Sequence, residues 1–228
     1  MRWVWILFLA ITPVWAEPPV RISLELMTPA HQALARPVMM HYTLHRQYTP
    51  RRFTGQIADF EFMLDNLEVC SMLAEQAGML DYRPVLMPDG RLMADNHSDV
   101  AGWILPVFCG ENQRIYYVEG AQRGVVTARG RGVVVVNFRQ VTPAEIEYSG
   151  QLFVRADNPV AAALAHVFYI FLRHAVDQNF ELVMQQPILF THLAAKHTPV
   201  LRQLIQQLAV EDYRKLITLD QRLATRSD

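Results

Sequence analysis

Hydrophobic and polar residues alternate over residues 38–45. Val38, Met40, Tyr42 and Leu44 fall on one side, and Met39, His41, Thr43 and His45 on the other. That period of two predicts a half-buried β-strand. The chain before it, 17–37, mixes prolines with a short apolar stretch and reads as an N-terminal arm. Beyond Pro50, the residues Arg51, Arg52 and Gly55 read as a loop or strand end. The period then lengthens. Phe60, Met63, Leu64 and Leu67, followed by Cys70, Leu73, Ala74 and Ala77, recur at helical spacing over 60–64 and 67–79. Asp59 supplies a cap, Gly78 a stop, and Asp65-Asn66 divides the run into two short helices.

From Tyr82 to Asp157 the period shortens again. Turn signals recur at Pro88-Asp89-Gly90, 95–99, Gly110-Glu111-Asn112, Gly124, Gly130 and Thr142-Pro143. Between them lie β-rich runs, including 103–108, 115–118 and 133–138. In the last strand Ile146, Tyr148, Leu152 and Val154 alternate with Glu145, Glu147, Ser149 and Gln151, so one sheet face is expected to meet a core and the other water. Asp157-Asn158-Pro159 then opens a helix, with an Asn cap and Pro at the first helical position. The helix is expected over 160–186, with Pro187 as its stop or kink. Its first half, 160–176, is apolar nearly all round and therefore mostly buried. After Thr198-Pro199, residues Leu201, Leu204, Ile205, Leu208, Tyr213, Leu216 and Ile217 again repeat at helical spacing. A strand, two short helices, about six strands and a long apolar helix together predict an α+β fold: an antiparallel sheet with the long helix across its buried face.

The first sixteen residues stand apart from this pattern. Met1-Arg2, an apolar run over 3–11, and Thr12-Pro13-Val14-Trp15-Ala16 match the three regions of a cleavable signal peptide. The apolar run is too short to span a bilayer. Cleavage after Ala16 is expected to leave a mature chain starting at Glu17, exported to a bacterial periplasm. No cysteine follows the cut to carry a lipid anchor.

Composition narrows the picture further. Half of the 228 residues are apolar and 19% are charged, which is globular rather than disordered material. Basic and acidic residues number 21 and 22, so the chain lacks the electrostatic footprint of a nucleic-acid binder. The two cysteines, Cys70 and Cys109, are expected to form a disulfide in an oxidising compartment. Neither has a Cys-x-x-Cys partner or a neighbouring histidine. No nucleophile elbow, phosphate loop or His-Glu zinc motif appears, so neither a cofactor nor a metal is expected.

The layout resembles the helix-grip fold of the START-like superfamily, which includes START lipid-transfer domains and polyketide cyclases. The matching features are an N-terminal strand, paired short helices at 60–66 and 67–78, and a last strand over 145–155. The corner Asp157-Asn158-Pro159 and a gripping helix over 160–186 complete the pattern. The resemblance covers 38–186 and leaves outside it the signal (1–16), the arm (17–37) and a helical extension (187–228). It implies a cavity between curved sheet and helix that takes a lipid or other apolar small molecule.

The residues expected to face such a cavity are Met40, Tyr42, Trp103, Tyr148, Leu152, His166, Phe168 and Phe171. Periodicity alone fits a filled core and a hollow one equally. His166 and His174 lie about 80° apart around a helix and do not easily share a metal. Asp95-Asn96-His97-Ser98-Asp99 lacks the length and distal Glu of an EF-hand and reads as a solvated turn. Arg123, Arg129 and Arg131 read as a charged turn between strands. Two other functional readings remain. One is a cyclase-type enzyme using Tyr148, His166 or Glu119. The other is an interaction protein that docks on a protein or membrane through the C-terminal helices, over 201–223.

Overall fold

The computed structural model describes residues 22, 24–80, 84–95, 100–122, 128–157, 169–208 and 214–224. Seven strands form one open antiparallel sheet: β1 (Leu44–Thr54), β2 (Val85–Leu86), β3 (Leu92–Asp95), β4 (Val100–Cys109), β5 (Gln113–Gln122), β6 (Ala128–Thr142) and β7 (Glu145–Ala156). Their order is β1-β7-β6-β5-β4-β3-β2. Strands β2 to β7 pair with their sequence neighbours, as short connections require of antiparallel strands. β1 closes the far edge beside β7. The helices are α1 (Pro29–Met40), α2 (Ile57–Asp65), α3 (Leu67–Gln76), α4 (Tyr169–Lys196), α5 (Thr198–Gln207) and α6 (Arg214–Ala224).

The division at Asn66 and the stop at Gly78 are as expected; Gly78 has a φ of 70°, which a glycine adopts without steric cost. The first strand is shifted. Residues 38–40 are the end of helix α1, and pairing with β7 starts at Leu44. Thr28 accepts a hydrogen bond from the His31 amide, and Pro29 occupies the first turn. Those two start signals outweigh Pro37, which is accommodated inside the helix. β1 also runs through Pro50, where a register shift between Tyr48 and Arg51 absorbs the missing donor. Helix α4 likewise continues past Pro187 to Lys196, so the expected boundary at 186 falls inside a helix.

Three apolar clusters organise the packing. On the inner sheet face, Tyr116, Val136, Phe138 and Ile146 meet Phe60 and Leu64 of α2 and Phe180 and Met184 of α4. On the outer face, Val107, Ile115, Tyr117, Val133, Val135 and Phe153 meet Ala35 and Val38 of α1. The outer face is therefore partly covered, contrary to the expectation that it meets water. The run Val133-Val134-Val135-Val136, apolar without alternation, is the sequence trace of this burial on both faces. The third cluster is helical. Leu201, Ile205, Leu216, Leu219 and Leu223 of α5 and α6 pack on Val69, Met72 and Leu73 of α3 and on Phe190 of α4. The C-terminal extension thus turns its apolar stripe inward.

Candidate functional site

The space between the inner face and α4 is not completely filled. A cavity of about 250 Å³ lies there. Its floor is a cross-strand row in which Ile104 pairs with Val118, and Tyr116, Val134 and Leu152 lie in register, with Val136 and Val154 beside them. Its roof is Phe180, Val183, Met184 and Pro187 of α4, and its flank is Leu64 and Leu67. The only polar side-chain atom in this set is the Tyr116 hydroxyl, which donates to the Leu64 carbonyl at 2.9 Å. Burial drives that phenol well above its usual pKa, so it stays neutral.

Two glycines permit close approaches on this sheet. At Gly150 a Cβ would collide with the Phe180 ring, which lies directly on the bare strand and stacks on Tyr48 at 3.8 Å. At Gly102, opposite Gly120, a Cβ would sit 2.7 Å from the Glu119 carbonyl oxygen. The strand backbones converge there, as glycine in a strand permits.

Phe180 and Met184 divide this cavity from a second, of about 40 Å³, on the other flank of α4. Tyr148 lies beside that small space with Arg51 and Glu181, which pair at 2.7 Å. A third space, of about 70 Å³, shares Leu67, Ile104, Val183 and Pro187 with the main cavity. It lies toward α3 and β3, beside Cys70, Ser71, Leu92 and Gln186.

Of the residues expected to face a ligand, Leu152 does line the main cavity. Tyr148 is on the correct sheet face but beyond Phe180. Trp103 faces the other way: Ile104 points inward, so its neighbour points outward, where Trp103 meets Tyr117 and the Arg91 guanidinium. Met40 ends α1 and is 67% exposed, and Tyr42, in the link to β1, is 49% exposed. Neither faces the cavity, because the alternation over 38–45 spans a helix end and a link rather than a strand. His166 and Phe168 lie outside the described residues, as does the ring of Phe171. Glu119 lies on the outer face and accepts from the Tyr117 hydroxyl at 3.3 Å. Burial, with Glu119 alongside, pushes the Tyr117 phenol up to about 12. Of the turn read at 95–99, residues 96–99 lie outside the described residues, as does Arg123. Arg131 is a strand residue paired with Asp157 at 3.1 Å.

The lining residues that pattern reading missed include Ile104, Tyr116, Val118, Val134, Val136, Phe180 and Met184. All are ordinary core-type positions. Only the sheet register and the seating of α4 above it, which put them on opposite sides of one space, could reveal them.

The expected disulfide is also corrected: Cys70 and Cys109 are free thiols. Cys70 is on the α3 face turned into the helical core, where its thiol donates to the Met63 carbonyl at 3.4 Å. Cys109 sits exposed at the end of β4 beside Asp65. Burial raises the pKa of both thiols, Cys70 far more than Cys109. In the native protein, Cys109 should be alkylated by iodoacetamide while Cys70 reacts only after unfolding. Equal labelling of both in the folded protein, or recovery of a crosslinked pair, would overturn this assignment.

An antiparallel sheet that begins with β1 and two short helices, continues as a six-strand meander and carries a long helix over its inner face defines a helix-grip protein of the α+β class. Here that grip encloses an apolar cavity. No protein-family model and no curated protein matches the sequence. Among solved structures the chain is similar to a conserved protein from Geobacillus kaustophilus, at 8% identity over 63% of this chain and 95% of that one, with a TM-score of 0.45. It is also similar to truncated norcoclaurine synthase from Thalictrum flavum, at 7% identity over 62% and 92%, TM-score 0.40. The di-domain ARO/CYC protein BexL is similar at 11% identity over 71% and 53%, TM-score 0.39. Likeness at these identities concerns the fold and carries no residue role.

Proposed function

We propose that this is an exported START-like protein that holds an apolar small molecule, or the apolar part of a lipid, between its sheet and helix α4. The observation behind this reading is the 250 Å³ cavity and its almost wholly apolar wall. Small-molecule sites usually enclose about 300–1,000 Å³, so this one suits a single chain or ring system better than a two-chain lipid. Scaling from the roughly 150 Å³ that holds a benzene gives about ten carbons.

The cyclase-type alternative needs an acid or base at the ligand. Among the described residues lining the cavity there is no histidine, carboxylate, lysine or arginine, and the one hydroxyl is already bonded. The docking alternative needs a free apolar stripe on α5 and α6, yet Leu201, Ile205, Leu216, Leu219 and Leu223 are buried. Binding is the reading these residues support.

Native mass spectrometry of protein purified from its own cell envelope tests the proposal. The expected spectrum shows a chain starting at Glu17 that carries an apolar ligand. Val134→Phe should remove that ligand while changing stability by less than about 1 kcal/mol, since the ring enters empty space. A filled core would be overpacked by the same change, at a cost of about 1–3 kcal/mol. That cost, with no ligand on the wild type, would sink the proposal.

A further inference from the structure

Along β7 the residues on the inner face are Val154, Leu152, Gly150 and Tyr148, because alternate side chains point to opposite faces. Val154 and Leu152 line the main cavity, and Tyr148 lines the 40 Å³ space beyond it. Between them, the slot over Gly150 is taken by the Phe180 ring, which lines both spaces. The cross-strand neighbours of Gly150 are Tyr48 on β1 and Val136 on β6. Tyr48 stacks flat on the Phe180 ring, with centroids 3.8 Å apart and planes 3° from parallel. Val136 is a cavity residue. The ring thus rests on bare strand, is backed by Tyr48 and faces the cavity.

We infer that Phe180 is the specificity-determining residue of the cavity: an apolar end of the ligand stops against its ring, which sets an upper limit on ligand length. The inference rests on the binding function proposed above and names the feature of the ligand that is selected. The ring can retreat from a longer ligand only into Tyr48, with which it is already in van der Waals contact. Close-packed groups do not yield gradually, so the limit is sharp. Behind the ring stand Tyr148 and the Arg51–Glu181 pair, around a space that holds only about one or two carbons. Gly150 is the positioning residue. A Cβ there would overlap the Phe180 ring, and with Tyr48 behind it the ring's way out is into the cavity.

The n-alkylbenzenes from toluene to n-heptylbenzene grow by single methylenes, and headspace partitioning over the full protein measures their binding. For the wild type, affinity should rise about three- to fourfold per methylene up to about ten carbons and fall beyond. Phe180→Leu shortens the wall while keeping it apolar, and should move the maximum about two to three carbons higher. Gly150→Ala pushes the ring inward and should move the maximum about one to two carbons lower. Val134→Ala also enlarges the cavity, but in the middle row of its floor, beside Tyr116 and Leu152. It should leave the maximum where it is.

An unmoved maximum in Phe180→Leu, or an equal shift in Val134→Ala, would mean that total volume and not this ring governs selection. Either result overturns the inference and leaves the binding function standing. A wild-type affinity that still climbs at n-heptylbenzene, or an upward shift in Gly150→Ala, would overturn it as well. If Gly150→Ala does not fold, the Phe180 and Val134 variants still decide. Failure of every probe to bind the wild type would remove the binding function itself.

Discussion

Phe60→Ala is expected to destabilise the protein by about 3–5 kcal/mol, the usual range for deleting a fully buried phenylalanine ring. Phe60 projects from α2 into the inner-face core and is completely buried. Its ring meets Phe53 of β1 at 5.0 Å and Phe138 of β6 at 5.5 Å, both edge-on, with Tyr148 of β7 at 6.4 Å. Edge-to-face contacts of this kind add to the area term. One side chain thereby joins α2 to three strands, and the residual void would be enclosed by rings too large to collapse into it. Urea denaturation should show a lower midpoint with an unchanged slope. Ile217→Ala, at an exposed site on α6, should stay within about 0.5 kcal/mol as a control. A loss below about 1 kcal/mol at Phe60 would mean that this part of the core is not packed as described.

Arg114→Met should cost about 2–3 kcal/mol through polar rather than apolar losses. Arg114 lies on β5 and is 5% exposed. Its Nε donates to Asp65 Oδ1 at 2.6 Å and its Nη2 to Asp65 Oδ2 at 3.0 Å, a two-bond fork. Nη2 also reaches Glu61 at 3.4 Å, and Nη1 donates to the Gly110 carbonyl. Glu61 and Asp65 are one helical turn apart, so a single guanidinium fastens the end of α2 to the β4–β5 hairpin. Methionine retains most of the stem's packing and strands the carboxylates. Both are partly exposed, however, so water takes up some of the penalty and the cost stays below that of a fully buried pair. Arg114→Lys should recover only part of the loss, because an ammonium cannot make the planar fork. A double-mutant cycle with Asp65→Asn checks the assignment. Additive effects would show that the two residues do not interact.

The period-two runs of β4 to β7, the turn signals between them and the paired helices split at Asn66 are local patterns, and they specify an antiparallel meander entered through two short helices. A long apolar helix after β7 can bury its surface on that sheet, so an antiparallel sheet with the helix across one face follows from pattern alone, and the helix-grip architecture is what that layout resembles. Start signals of the same kind, Thr28 and Pro29, were present for α1 but were masked by the accidental alternation over 38–45. Other features depend on contacts between residues far apart in the chain. Whether Trp103 or Ile104 faces the cavity turns on a register that alternation cannot supply, since either parity gives the same period. Cys70 and Cys109 are a plausible pair by count, yet one thiol faces a helical core and the other the surface. The C-terminal stripe reads equally well as a docking face or a buried one until α3 is seen beneath it. The cavity is the clearest case. Val134, Leu152 and Phe180 have the chemistry of any core, and only the distance held between sheet and α4, with Gly150 seating the Phe180 ring, decides that the space between them stays open.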